Sequence, residues 1–238
     1  MLENLSEMMT YLVYIGIVIG LILNLYVVKR LGKGIMNIVF ISFGMSLLLV
    51  GLAMAFVAIY ESQLQDISFH VFWHSVIYLS FISLIWGGYR IKKNMESPNP
   101  AGFNSKDALL FGAMILFTGF VFVIAPSIDQ SLYSLLTGSF VETIGLHHLI
   151  AFLLGSIGAW YLFYIKGGPQ AGKSMKFIGF YLLFLGIQHL WEIINETFHM
   201  LPISGDTTEL VEKFIILGAI VFFILGHSAV IKFIQGKS

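Results

Sequence analysis

The chain has 238 residues, of which 58% are hydrophobic and only 11% charged, where a soluble domain carries about 25% charged residues. With a mean hydropathy of +0.88 there is too little polar surface to cover a water-soluble globule, so residues 1–238 read as one integral membrane domain. Thirteen basic residues cancel thirteen acidic ones, which removes the net field expected of a nucleic-acid binder. The absence of cysteine excludes disulfides, Fe–S clusters, thiolate metal sites and Cys nucleophiles.

A membrane-crossing helix needs about 20 mostly apolar residues. Such runs lie at 10–28, 35–60, 68–89, 108–126, 143–165, 176–198 and 211–231, separated by polar breaks too short for a soluble domain. A membrane β-barrel would instead show alternating segments of about 10 residues. The expected fold is therefore all-α, a seven-transmembrane-helix bundle. The first run follows Glu3 and Glu7 and ends at Lys29–Arg30, the reverse of a cleaved signal peptide.

Charge orients the bundle. Of the 13 basic residues, all but Lys213 fall on one side, in the breaks after the first, third, fifth and seventh spans. Glu3, Glu7, Glu61, Asp66, Asp129, Glu142, Asp206, Glu209 and Glu212 fall on the other. By the positive-inside rule the N-terminus is outside and the C-terminus cytoplasmic, as in a multi-pass plasma-membrane protein. Spans two to seven also read as three hairpins with similar tails: Tyr89-Arg90-Ile91-Lys92, Tyr164-Ile165-Lys166 and Val230-Ile231-Lys232. That pattern hints at duplication of a two-helix unit.

Between the fifth and sixth spans, Gly167 to Ser174 matches the P-loop pattern. The motif needs a preceding β-strand so that backbone N–H groups cradle phosphate. This setting lacks one, so nucleotide binding is not expected. Asn4 and Asn195 head N-x-[ST] sequons toward the outer side, where Asn4 is the better placed for glycosylation.

Ionisable residues in a membrane are costly and mark functional hypotheses. Six of the seven histidines sit in the outer half. His70 and His74 lie at the start of the third span, Glu142, His147 and His148 at the start of the fifth, and His189, Glu192, Glu196 and His199 at the end of the sixth. On a uniform α-helix the last four fall at about 0°, −60°, −20° and −80°, one narrow stripe. Carboxylate and imidazole one turn apart can chelate a cation, as Glu-x-x-His pairs do in helical bundles. His147 and His148 are about 100° apart, so one of them is expected to face the same centre. At 1.5 Å per residue, His74, His148 and Glu192 lie within roughly 10 Å of the outer helix ends. His227, between Gly226 and Ser228, reads as a packing residue.

The expected metal ligands are thus His74, His148, His189 and Glu192, and the donor set suits Zn, Fe, Cu or Mn. His74 and His148 would alternatively hold a haem b. Gly16-x-x-x-Gly20 and Gly51-x-x-x-Ala55 are small-residue pairs that allow close helix contact. The four tryptophans read as interface belt and packing. The segment 126–140 is either a lid over the site or a plain loop.

Three functions compete. A metal or haem redox protein would act on a quinone or other lipid-soluble substrate arriving through the bilayer. A metal-dependent lipid hydrolase would use Glu196 as general base on a metal-bound water. A cation or proton transporter would use the His/Glu stripe as a path, but below His189 the sixth span offers only Gln188 and Tyr181 before Lys176. A retinal protein is excluded, because Lys213 and Lys232 lie at the two ends of the seventh span and no lysine lies midway along it.

Overall fold

A computed structural model describes residues 2–32, 35–60, 66–97, 102–127, 145–165 and 169–236. In lipid the backbone must satisfy its own polar groups, so an apolar chain of this kind folds into helices. Among the described residues seven form: α1 (Leu2–Leu31), α2 (Ile35–Tyr60), α3 (Asp66–Met95), α4 (Ser105–Ile124), α5 (Leu146–Phe163), α6 (Pro169–Glu192) and α7 (Gly205–Ile234). A 3-10 turn, Ala125–Ser127, extends α4, and a π-helical turn, Ile193–Thr197, extends α6. Among the described residues there is no strand. The chain is an all-α membrane bundle.

Six of the helices, as far as they are described, are long and apolar enough to cross a membrane. The 30-residue α3 turns His74, Ser80 and Ser83 into the interior, where polar side chains in a membrane bundle belong.

The helices close into a ring in the order α1, α2, α3, α5, α6, α7, with α7 returning onto α1. Outside the ring, α4 packs chiefly on α3 and leaves Leu109, Leu116 and Val123 more than 70% exposed for lipid. The expected succession of hairpins therefore holds for α2–α3 and α6–α7 but not for α4–α5. Their principal partners are α3 for α4 and α6 for α5.

At its first turn α4 is pinned to α3. Asn104 Oδ1 accepts from the backbone N–H groups of Lys106 and Asp107, and Asp107 Oδ2 accepts from that of Asn104, a capping box. The other oxygen of the fully buried Asp107 accepts from Trp86 Nε1 at 2.9 Å and pairs with Arg90 at 3.2 Å. Glycines set the ring's close approaches. A Cβ on Gly16 would meet Ile220 of α7 at 2.6 Å, and one on Gly20 would meet Leu47 of α2 at 2.6 Å. Gly51 abuts Ile17, whereas Ala55 faces outward.

Phe40, Phe43, Leu47, Ile77, Phe81, Leu182 and Phe223 fill the interior. Among them sits a group of hydroxyls. Ser46 Oγ lies 2.5 Å from Ser80 Oγ and 3.3 Å from Tyr181 Oη, and Ser83 Oγ donates to the carbonyls of Ser42 and Ser80. Polar groups thus do continue inward of His189, on α2 and α3 rather than on α6 alone.

The orientation follows from the charges and is directly testable in a cysteine-free chain. A cysteine placed at Asp206 should react with a membrane-impermeant maleimide on intact cells. One placed at Lys93 should react only after the membrane is opened, and the opposite pattern would invert the topology.

Candidate metal centre

Three helices bring ionisable residues to the end of the ring where α3 and α5 begin and α6 ends. α3 supplies His74, the first turn of α5 supplies His148, and the last turn of α6 supplies His189 and Glu192. Glycine contacts hold α5 against α6. A Cβ on Gly155 would lie 3.1 Å from the Cα of Gly186 and 3.1 Å from the Leu182 carbonyl, so the two backbones touch one turn below His189. At the outer end Gly145 starts α5 with φ of +58°, and a Cβ there would come within 2.5 Å of Thr197 Oγ1 in the π turn. Between α3 and α5, Tyr78 Oη donates to the His147 carbonyl at 2.7 Å.

The four side chains meet. His74 is 7% exposed, His148 3%, His189 0% and Glu192 7%, so water contributes little to their solvation. One ligand atom from each falls within 4.8 Å of all the others. Glu192 Oε2 lies 2.7 Å from His148 Nδ1 and 2.6 Å from His189 Nδ1. Glu192 Oε1 accepts from Gln188 Nε2. His74 Nε2 stands 3.4 Å from His148 Nδ1. His189 Nε2 is buried and, among the described residues, has no hydrogen-bond partner.

The group could hold a cation, although its two Glu192–imidazole contacts have hydrogen-bond length. A tetrahedral ion with metal–imidazole bonds of about 2.1 Å spaces its ligand nitrogens about 3.4 Å apart. The His74–His148 separation already has that length. Glu192 is acceptable in a bilayer because three side chains offer it donors, where an unpartnered carboxylate would cost several kcal/mol. An ion would take the place of shared protons, since ligand nitrogens and oxygens must present lone pairs.

The α-helical stripe expected along the sixth span holds as far as Glu192 and then breaks. From Ile193 the backbone widens, with Phe198 N–H donating to the Ile193 carbonyl and Met200 N–H to that of Ile194. His199 takes φ of +48°, is exposed, and pairs its Nδ1 with the Asn195 carbonyl at 2.9 Å. It therefore leaves the stripe. The side chains of Glu196 and His70, Glu142, and most of the 126–140 segment lie outside the described residues. His148 faces the centre, and the ring of His147 packs beside it at 4.0 Å and beside His74 at 4.5 Å.

The remaining motifs resolve separately. His227, fully buried, donates from Nδ1 to the Phe223 carbonyl at 2.9 Å and pairs Nε2 with the Asn24 amide at 2.8 Å. Stacked on Phe223 and edged by Phe40, it is a packing residue remote in sequence from the cluster. The Asn195 sequon sits in the π turn with a side chain 7% exposed, closed to glycosylation. In the P-loop-like stretch, Pro169 opens α6 and Ser174 is buried within it. Gln188 is the partner that sequence inspection passed over. Its spacing of four residues from Glu192 places both on one helix face, and that was the available signal.

Comparison with protein-family models, characterised proteins and solved structures finds no match to this chain.

The Gly145 contact yields a prediction. Gly145→Ala should cost about 1–2 kcal/mol for the left-handed backbone alone, lower the thermal midpoint, and weaken metal binding by displacing the start of α5. Thermal unfolding and metal titration of the purified variant check both effects.

Proposed function

We propose that this membrane protein holds one transition-metal ion between His74, His148, His189 and Glu192, and that the centre serves redox chemistry on a lipid-soluble substrate such as a quinone. The observation that carries the reading is the convergence of four buried ligand atoms from three helices within 4.8 Å. Three imidazoles and one carboxylate, without thiolate, suit Fe, Mn, Cu(II) or Zn. One carboxylate against a divalent ion leaves a positive charge among apolar helices, which favours an anionic oxygen ligand from the substrate. The bound ion supplies Lewis acidity or electron transfer; the side chains hold it, and the ring excludes bulk water.

The spacing favours an ion over a haem. A bis-histidine haem seats its iron between two imidazole nitrogens, with a macrocycle spreading across the gap. Here that gap is 3.4 Å, and the Glu192 carboxylate stands 2.7 Å from the same His148 nitrogen. Glu196, beginning one turn beyond Glu192, keeps the general-base role in the hydrolytic alternative.

Elemental analysis and an absorption spectrum of detergent-purified protein decide among these readings. The expected result is one redox-active transition metal per chain without a Soret band. Occupancy should be abolished by His189→Ala or Glu192→Gln and retained by His227→Ala. A Soret band would restore the haem, stoichiometric zinc alone would move the function to hydrolysis, and full occupancy in all three variants would displace the ligand assignment.

A further inference from the structure

We infer that Gln188 is a positioning residue that fixes Glu192 as a one-oxygen ligand of the ion, an inference that rests on the metal-centre reading above. The two carboxylate oxygens are divided between different tasks. Oε2 faces both His148 and His189, whereas Oε1 accepts the Gln188 amide N–H. Gln188 is 3% exposed and lies one turn before Glu192 on the same face. With its second oxygen held, the carboxylate resists turning to present both oxygens to a cation, a mode open to unrestrained carboxylates. Together with three imidazoles this gives four protein ligands, and further coordination is left to an incoming molecule. Outer-shell partners of this kind orient a ligand and typically change metal affinity 10–100-fold.

A merely structural Gln188 would also be buried and hydrogen-bonded, so the test must read the ion. Chelator-treated, detergent-purified protein is titrated with Co2+ and followed by its visible d–d bands, intense for four-coordinate Co2+ and weak for higher coordination. Wild type should take one Co2+ per chain with intense bands. Gln188→Met, which keeps length and removes the N–H, should still take Co2+ but about 10–100-fold more weakly, with bands several-fold less intense as the freed oxygen joins the ion. A Met variant with wild-type affinity and bands would overturn the inference while leaving the metal centre standing. A folded Met variant that takes no Co2+ would also overturn it, making Gln188 a condition for binding. Wild type that takes no Co2+ would remove the metal reading itself.

A second measurement needs no variant. Infrared difference spectra of wild type on Co2+ loading should show widely separated antisymmetric and symmetric carboxylate bands, the mark of one-oxygen binding. A narrow separation marks two-oxygen binding and would overturn the assignment.

Discussion

A carboxylate placed among membrane helices must find its donors within the protein, because no water is there to supply them. Glu192 finds them on two helices: Gln188 and His189 on α6 itself and His148 on α5. That requirement reaches outward through the bundle. α5 must start where α6 ends, α3 must pass close enough for His74 to reach His148, and the ring must close around the group. Losing one partner would leave a charge or a polar nitrogen stranded, so the cluster acts as a clamp between helices as well as a site.

Small residues make that closeness available. Lipid offers no hydrophobic drive for helices to associate, so backbone approach and interhelical hydrogen bonds decide which faces meet. The touching backbones at Gly155 and Gly186 set the spacing between α5 and α6 just inward of the His/Glu group. The bond from Tyr78 to the His147 carbonyl ties α3 to the same turn of α5. Further in, Ser46, Ser80 and Tyr181 join α2, α3 and α6. The His/Glu group thus stands on three helices that are fixed to one another at separate depths.

The described helices and the residues of the His/Glu group were legible because apolar run length and the i, i+3 relation of His189 to Glu192 are properties of the chain in order. The π turn was not. A uniform advance of about 100° per residue carries no information on where the backbone will widen, so the expected stripe runs on to His199, which the structure turns away from it. The role of α4 was hidden for a different reason. Hydropathy records that a segment can cross the membrane, and α4 is as apolar as its neighbours, but which neighbour it meets depends on contacts such as Arg90 with Asp107. The inner hydroxyls escaped notice because a lone serine in an apolar run has no period of its own.

The widened turn after Glu192 can also be seen as one residue of slack. A π turn spends five residues where an α turn spends four, so everything beyond it is set back in phase by about one residue, or 100°. His189 and Glu192, before the turn, stay in register with the ring. His199, after it, is swung out of the bundle and left exposed. One polar sequence thereby ends in two environments, a buried His/Glu pair on the helix and an exposed imidazole just past its end.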